Sequence, residues 1–372
     1  MRSPLRFERR LAQPKWLSIA VPVCSLLAAL VLGAVVLLVT GRNPLSTYHR
    51  ILERGFGAQD AWSSTLVSAT PLAFTGLCAA VAFRMGIINI GGEGQLFAGA
   101  ITASWAGIAL GDQPVLVVFV VMLVAGAVGG TSVALIAGVL RARFSANEII
   151  TTLMLNYVVA IVLDYLIFNS TSYWRDPKSF GFPAGKRVGA AAYWSPITIA
   201  ETELPRGFLV AVVAAVVMWV LFRTTRFGYE VSVIADSPST AKYAGIRTTR
   251  KIVAVMAISG ALAGLGGASD VGDFRHLLDA KGLQLAGYGY TGIVVAALAR
   301  LNPLGALVVA VLMGGLTNAG YALQGPDFPS GLVGALQGLI LFTSVAGEVL
   351  TRYRIRRARQ TRPAVTVSEA GA

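Results

Sequence analysis

Long apolar segments recur along the whole chain, and they constrain its fold more than any other feature. Apolar residues make up 55% of the 372 residues and charged residues only 13%, about half the charged fraction of a soluble protein. Because about twenty apolar residues span the hydrocarbon core as a helix, we predict an all-α polytopic membrane protein with about ten transmembrane helices. The predicted spans are 17–39, 62–83, 87–109, 115–140, 148–168, 207–222, 252–268, 286–299, 303–320 and 332–350.

Basic residues set the predicted orientation. The net charge is +13, but most Lys and Arg residues cluster at the ends of apolar runs, which is typical of cytoplasmic loops and argues against nucleic-acid binding. Both termini are therefore predicted to be cytoplasmic, as tails 1–16 and 351–372 around a transmembrane domain, 17–350. This domain includes an outer loop, 169–206, and an inner segment, 223–251. Five spans in each half would give an inverted repeat, which is common in transporters.

The sequence offers no set of residues suited to catalysis. It has neither a G-x-x-x-x-G-K-[ST] phosphate loop nor an H-E-x-x-H zinc motif, and its two histidines, His49 and His276, lie far apart. Cys24 and Cys78 both fall within apolar runs, so neither a disulfide nor a metal site is expected. We expect a protein that is not an enzyme and that binds no metal.

The stretch from Arg84 to Gln95, RMGIINIGGEGQ, interrupts the apolar pattern. Its four glycines oppose helix formation, and free backbone groups at membrane depth are tolerated only inside protein or beside water. We therefore predict an unwound break within the bundle, where Asn89, Glu93 and Gln95 could line a path for a polar solute. Alternatively, Glu93 satisfies backbone N–H groups at the start of the following helix. In that case the side-chain amides of Asn89 and Gln95 form hydrogen bonds between helices.

Two further patterns concern the helices themselves. Glu148 follows either a Ser145 capping box or an Asn147 cap, and Asn156, eight residues later on about the same helix face, could face the path. The small-residue patterns 126–130 and 260–267 allow close helix approach, so we interpret them as packing surfaces.

The inner segment contains a second informative pattern. Ser237 and Pro238 are typical of an N-cap and first helical position, and a short helix, 239–244, would end at Gly245. Such a capped helix indicates a docking element for a cytoplasmic partner. The alternative is a loop lying on anionic lipid.

Three blocks of sequence carry a resemblance to a known family. They are RMGIINIGGEGQ (84–95), NEIITTLMLNY (147–157) and the stretch from Gly287 through Pro303 to Gly305. These blocks resemble the permease subunits of ABC importers in the ribose, nucleoside and branched-chain amino-acid group. The chain is most similar to the longer permease of bacterial nucleoside importers, from about residue 60 to 350.

The resemblance implies a function and a set of partners. It implies a permease subunit in the bacterial cytoplasmic (inner) membrane that forms the path for a nucleoside, with purine nucleosides favoured. An extracytoplasmic binding protein would deliver the nucleoside and dock on the outer loop. A second permease, a shorter paralogue, would complete the path. ATP would be used by a separate cytoplasmic ATPase subunit, and this chain would bind no cofactor itself.

The resemblance also assigns the inner segment to ATPase coupling. The sequence YAGI resembles the end of the family's coupling helix, although many relatives have Gly and Asn where this chain has Asp236 and Pro238. The residues to which the resemblance gives this role are Asp236, Ser237, Pro238, Tyr243, Ala244, Gly245 and Ile246.

Two alternative functions remain open at this point. The first is an ABC permease for a ribose-type sugar. A nucleoside needs an aromatic partner for its base, for which Tyr288, Tyr290 and Phe97 are the candidates. The second is an ion-coupled secondary transporter, for which Glu93 or Asp164 would be the coupling carboxylate.

Overall fold

The computed structural model describes residues 5–9, 16–57, 59–179, 181–199, 202–323 and 331–357. These residues form a bundle of α-helices with two short antiparallel strand pairs. The helices are α1 (Leu17–Val39), α2 (Pro44–Leu52), α3 (Gln59–Arg84), α4 (Gly92–Ala109), α5 (Val115–Phe144), α6 (Glu148–Phe168), α7 (Arg206–Thr224), α8 (Arg226–Asp236), α9 (Pro238–Tyr243), α10 (Thr248–Ser269), α11 (Ala280–Ala286), α12 (Tyr288–Leu298), α13 (Pro303–Ala322) and α14 (Leu332–Arg352). The strands are β1 (Leu5–Arg9), β2 (Ile197–Ile199), β3 (Thr202–Leu204) and β4 (Tyr353–Arg357).

Within the described residues, six helices are long and apolar enough to cross a membrane. They confirm a mostly helical, multi-pass architecture, whereas the number of ten spans stays a prediction. The other four predicted spans coincide with α1, α4, α12 and α14. The six are Asp60–Arg84, Val115–Phe144, Glu148–Phe168, Arg206–Thr224, Thr248–Arg275 and Pro303–Ala322.

Helix starts follow the cap residues in the sequence. The Asn147 side chain accepts hydrogen bonds from the N–H groups of Ile149 and Ile150, so Asn147 is the cap of α6. Ser145 instead ends α5 with a left-handed φ of 53°. The Ser145 capping box is therefore wrong, because this residue terminates one helix and is not available to cap the next.

Glycine contacts hold α10 against two helices. A Cβ on Gly264 would collide with the backbone carbonyl of Gly126 on α5, and a Cβ on Gly99 of α4 would collide with Gly264 itself. The two small-residue patterns of the sequence therefore pack against each other, and this confirms their interpretation as packing surfaces.

The large helices pack in two similar groups. The first group is α3 with α12 and α13, and the second is α10 with α4 and α5. The two groups meet where α3 contacts α10. Each group therefore contains one of the two helices that contact each other between the groups, α3 or α10.

The outer loop is folded onto the helix ends. The Trp174 indole donates a hydrogen bond to the Ile101 carbonyl on α4 (3.0 Å), and Trp194 is buried. The Tyr193 ring stacks on His276 at a centroid distance of 4.0 Å. Phe180 of this loop lies outside the described residues, as do most of the two predicted tails.

The two ends of the described chain lie together. Strand β1 pairs antiparallel with β4, with Leu5 opposite Arg357 and Arg9 opposite Tyr353. Because β1 precedes α1 and β4 follows α14, both ends of the bundle's chain lie at the same side.

Candidate functional site

The glycine-rich stretch forms the expected break between two helices. Helix α3 ends at Arg84 and α4 begins at Gly92, and residues 85–91 are not helical. Gly86 has a φ of +78°, a conformation that favours glycine, at the point where the chain leaves α3. Asn89, Glu93 and Gln95 are all buried, so the break lies inside protein, as backbone groups at membrane depth require.

Glu93 connects the start of α4 to the start of α12. Its carboxylate accepts hydrogen bonds from the backbone N–H groups of Gly289 and Tyr290, in the first turn of α12. A helix N-terminus favours an anion, because its first N–H groups lack partners within the helix. Glu93 therefore satisfies free N–H groups, as the alternative interpretation predicted. The N–H groups belong to the distant helix α12, however, and not to α4, the helix that contains Glu93.

The two amides of the break bind each other. Asn89 and Gln95 exchange two hydrogen bonds of 3.1 Å, and Asn89 Nδ2 also lies 2.9 Å from Ser259 Oγ on α10. Ser259 Oγ in turn donates to the Cys78 carbonyl on α3 (2.8 Å). This closed cluster joins α3, α4 and α10, which is the arrangement expected of hydrogen bonds between helices.

Asn156 attaches α6 to the break. Its side-chain oxygen accepts from Gly94 N–H (2.9 Å), and its amide nitrogen donates to the Ile90 carbonyl (3.0 Å). The same nitrogen lies 3.5 Å from the Tyr290 hydroxyl. Asn156 thus satisfies backbone groups that the unwound stretch leaves without helical partners.

Of the three aromatic candidates, only Tyr290 is accessible. Phe97 and Tyr288 are each 2% exposed, whereas Tyr290 is 42% exposed. Tyr290 lies one residue beyond Gly289, so its position depends on the contact between α4 and α12. The structure therefore brings five of the six predicted path residues to one junction: Asn89, Glu93, Gln95, Asn156 and Tyr290.

Tyr288 belongs instead to a buried charged cluster that the sequence analysis missed. Residues Asp270–Arg275 continue α10 as a π-helical turn. Arg275 lies 2.9 Å from Asp270 Oδ2 and 2.6 Å from Asp279 Oδ2, and it also contacts the Tyr288 side chain. Asp270, Arg275 and Asp279 lie between the predicted spans 252–268 and 286–299. The i,i+4 spacing of Arg275 and Asp279 is the one local signal that points to their ion pair.

Asp164, the other candidate coupling carboxylate, has its own partners. Its Oδ1 lies 3.4 Å from Lys281 Nζ and accepts a hydrogen bond from Gln284 Nε2 (3.0 Å). It lies near the end of α6, away from the contacts of Glu93.

The inner segment contains two helices in place of one. Helix α9 begins at the predicted cap, since Ser237 Oγ accepts from Thr240 N–H and Pro238 is the first helical residue. It ends at Tyr243, one residue earlier than predicted, and Gly245 has a φ of +75°. Tyr243 is 96% exposed.

Helix α8, which the sequence analysis did not predict, packs against α9 and is joined to α10 by an ion pair. Glu230 on α8 forms ion pairs with Lys251 (2.6 Å) and Arg226 (2.8 Å). The hydrogen bond from Lys251 and the charge of Arg226 lower the pKa of Glu230 below its ordinary value, so the ion pairs persist at neutral pH. Asp236 ends α8, and Ala244 and Ile246 complete the turn that leads towards α10.

Six long apolar helices and a buried polar break between helices define a multi-pass membrane protein of the transport type. The family described as "Branched-chain amino acid transport system / permease component" matches residues 62–345, which is most of the chain. The chain belongs to this family. It is therefore a translocation component and not an enzyme, and it belongs to a transport system that has further components.

Three relatives illustrate the similarity. The guanosine ABC transporter permease protein NupP of Bacillus subtilis is 34% identical over 80% of this chain and 84% of its own length. The nucleoside permease protein NupB of Lactococcus lactis is 28% identical over 87% of this chain and 90% of its own. The glucose permease protein TsgB13 of Haloferax volcanii is 31% identical over 95% of this chain and 94% of its own.

Proposed function

We propose that this chain is the transmembrane permease subunit of an ATP-driven importer and forms the path for a nucleoside, with a purine nucleoside favoured. The observation that carries this proposal is the 34% identity to a guanosine permease over 80% of the chain. Similarity to a second nucleoside permease over 87% of the chain supports it. The transported nucleoside would be delivered by an extracytoplasmic binding protein.

The junction of α4 and α12 is our candidate for the path. In transporters, interrupted or unusually short helices at corresponding positions of two halves indicate the solute site. Helix α4 is the third predicted span and α12 is the eighth, so they correspond in two halves of five spans. Their N-termini meet at Glu93 and Gly289.

Helix packing supports the inverted repeat of five plus five spans. Exchanging each span for its counterpart five positions away, in the other half, turns the group of α10, α4 and α5 into the group of α3, α12 and α13. Both groups are packed together in the bundle. The pairing of β1 with β4 supports an even number of spans, because it places both chain ends on one side. We propose ten spans with both termini cytoplasmic, tails 1–16 and 351–372, and a transmembrane domain of residues 17–350.

Tyr290 is our candidate for stacking on the nucleobase. It is the exposed member of the three aromatic candidates, and its hydroxyl is held near Asn156. Stacking of a base on an aromatic side chain contributes about 1–3 kcal/mol. The other four path residues form hydrogen bonds with protein atoms, so they would hold the helices that form the wall of the path in place. These residues are Asn89, Glu93, Gln95 and Asn156.

The inner segment, 223–251, is our candidate for coupling to a cytoplasmic ATPase subunit. Exposed aromatic side chains are frequent anchors of protein interfaces, and Tyr243 projects from the end of α9. The residues proposed for coupling also include Asp236, Ser237, Pro238, Ala244, Gly245 and Ile246, which form the two ends of α9 and its continuation.

Two further partners are proposed. A shorter paralogous permease would complete the path, and the outer loop, 169–206, would receive the binding protein. The importer would be located in a bacterial cytoplasmic membrane.

Uptake of radiolabelled guanosine by cells with and without this gene tests the proposal. Excess unlabelled uridine and excess unlabelled ribose serve as competitors, and immunoblotting verifies that the chain is expressed. We expect gene-dependent uptake that uridine inhibits and ribose does not. Absence of gene-dependent nucleoside uptake in cells that express the chain would overturn the substrate assignment.

The second candidate is an ABC permease for a simple sugar. The 31% identity to a glucose permease over 95% of this chain favours it. Gene-dependent uptake of labelled ribose or glucose that guanosine does not inhibit would establish this alternative. An ion-coupled secondary transporter is less well supported, because Glu93 binds the N-terminus of α12 and Asp164 is paired with Lys281.

A further inference from the structure

A groove lies between α5 and α10 near the end of the bundle that carries the inner segment. It has a volume of about 370 Å³, within the range of small-ligand sites, roughly 300–1,000 Å³. Four apolar side chains, a threonine and two arginines line it. They are Val139, Arg143, Thr249, Arg250, Val253, Ala254 and Ala257.

The lining residues form one continuous face on each helix. On α10, positions 250, 253, 254 and 257 follow the spacing of neighbours on a helix surface, and on α5 positions 139 and 143 are one turn apart. Ala257 is the lining residue of α10 farthest from Arg250 along the helix, and its carbonyl accepts a hydrogen bond from Thr131 Oγ1 on α5 (3.2 Å). Beside the groove, a Cβ on Gly138 would collide with the Met256 side chain, so α5 and α10 are in close contact there. The apolar part is therefore a slot along two membrane-spanning helices.

The two arginines line the groove at the helix ends nearest the inner segment. Arg143 is in the last turn of α5 and Arg250 in the first turn of α10, and both are exposed. In the described part of the chain, neither has a carboxylate oxygen within 4.0 Å, whereas the neighbouring Arg141 and Lys251 are paired with Glu148 and Glu230. The slot thus ends in two positive charges without an internal counterion.

We propose that this groove binds an anionic phospholipid, with an acyl chain in the apolar slot and the headgroup phosphate between Arg143 and Arg250. Basic pockets between transmembrane helices at the cytoplasmic surface suit such headgroups. A lipid fits better than a soluble anion because the apolar lining continues from the arginines into the membrane-spanning part of both helices. The cytoplasmic position of the groove rests on the orientation proposed above, but its ligand chemistry is independent of the transported solute.

The lipid would also lie beside the coupling segment. Arg250 lines a second cavity, of about 500 Å³, together with Gly245, Ile246 and Arg247. A phosphate held by Arg250 would therefore lie next to the turn that follows α9.

Native mass spectrometry of the assembled importer tests the proposal with phosphatidylglycerol and phosphatidylcholine of identical acyl chains. We expect phosphatidylglycerol to bind this chain more tightly. Arg143→Ala and Arg250→Ala should each weaken its binding by roughly fivefold, as expected for one basic residue at a lipid surface. Arg223→Ala is the matched control, because Arg223 is an exposed arginine at the end of α7 that does not line the groove.

A second variant separates a seated lipid from general attraction to surface charge. Val139→Trp fills the slot and keeps both arginines, so it should also weaken phosphatidylglycerol binding. Equal binding of the two lipids, an equal effect of Arg223→Ala, or no effect of Val139→Trp would each overturn the proposal. Absence of the bound lipid from the assembled importer, with lipid on the isolated chain, would show that a partner subunit covers the groove and would also overturn it. None of these outcomes depends on whether the importer transports nucleosides.

Discussion

The carboxylate of Glu93 binds the backbone N–H of Gly289, which lies 196 residues later in the chain. The contact joins the N-termini of α4 and α12, two helices that are short and follow interruptions of the chain. It places a negative charge where the first N–H groups of α12 lack partners within the helix. The geometry of the proposed path therefore depends on one carboxylate.

Substitution of Glu93 should separate its charge from its hydrogen bonds. Glu93→Gln keeps an oxygen acceptor, so we expect an assembled importer with lowered uptake. Glu93→Ala leaves buried N–H groups without a partner, at a cost of about 1–3 kcal/mol for each, and should also lower the melting temperature. Uptake assays and thermal melting of the purified importer measure the two effects. Wild-type uptake by Glu93→Gln, or failure of that variant to assemble, would contradict this account.

Gly289 is required for the close approach of α12 to α4. A Cβ on this residue would collide with the backbone of Glu93, whereas a Cβ on Gly305 of α13 would meet its nearest atom at 3.4 Å. We expect Gly289→Ala to abolish most uptake and Gly305→Ala to preserve it. Uptake and the amount of importer in the membrane should be measured together. Equal uptake by the two variants would show that the helices separate without consequence.

Ser259→Ala should affect stability and not solute affinity. The variant loses the hydrogen bonds of Ser259 with Asn89 and with the Cys78 carbonyl, which are worth about 0.5–1.5 kcal/mol each. Because this cluster is closed on itself, we expect a lower melting temperature and an unchanged KM for uptake. Ser232→Ala, which removes only a bond to the Gly228 carbonyl within α8, is the control. A raised KM with an unchanged melting temperature would place Ser259 in the path instead.

Tyr243 should anchor the ATPase subunit. Tyr243→Ala should reduce uptake and the amount of ATPase subunit that co-purifies, without lowering the melting temperature of this chain. Tyr229→Ala removes another exposed tyrosine of the inner segment, on α8, and should have little effect. Gly245→Pro should uncouple ATP hydrolysis from uptake, because proline cannot adopt the φ of +75° found there. Unchanged uptake by both Tyr243→Ala and Gly245→Pro would refute the coupling assignment.

The sequence predicted features that depend on local chemistry. The break at residues 84–95 follows from its glycines, and the start of α9 follows from Ser237 and Pro238. The mutual packing of residues 126–130 and 260–267 also follows from small side chains that permit close approach. In each case the decisive property belongs to a few neighbouring residues.

The partners of buried polar groups could not be predicted in this way. Nothing in the sequence near Glu93 indicates that its carboxylate binds α12, because that contact depends on how distant helices pack. The burial of Tyr288 and the ion pair of Arg275 with Asp270 have the same origin. Helix α8 was missed because its one buried face is short and lies within a polar segment.

Protection of position 290 by nucleoside tests the central claim most directly. Tyr290→Cys would be introduced into a Cys24→Ser background, which leaves only the buried Cys78, and the assembled importer would be treated with a maleimide. Tyr229→Cys, at an exposed position of α8, is the control. With guanosine-loaded binding protein and ATP, we predict slower labelling of Tyr290→Cys and unchanged labelling of Tyr229→Cys. Equal labelling of Tyr290→Cys with and without guanosine, in an importer that still transports it, would contradict a path along the junction of α4 and α12.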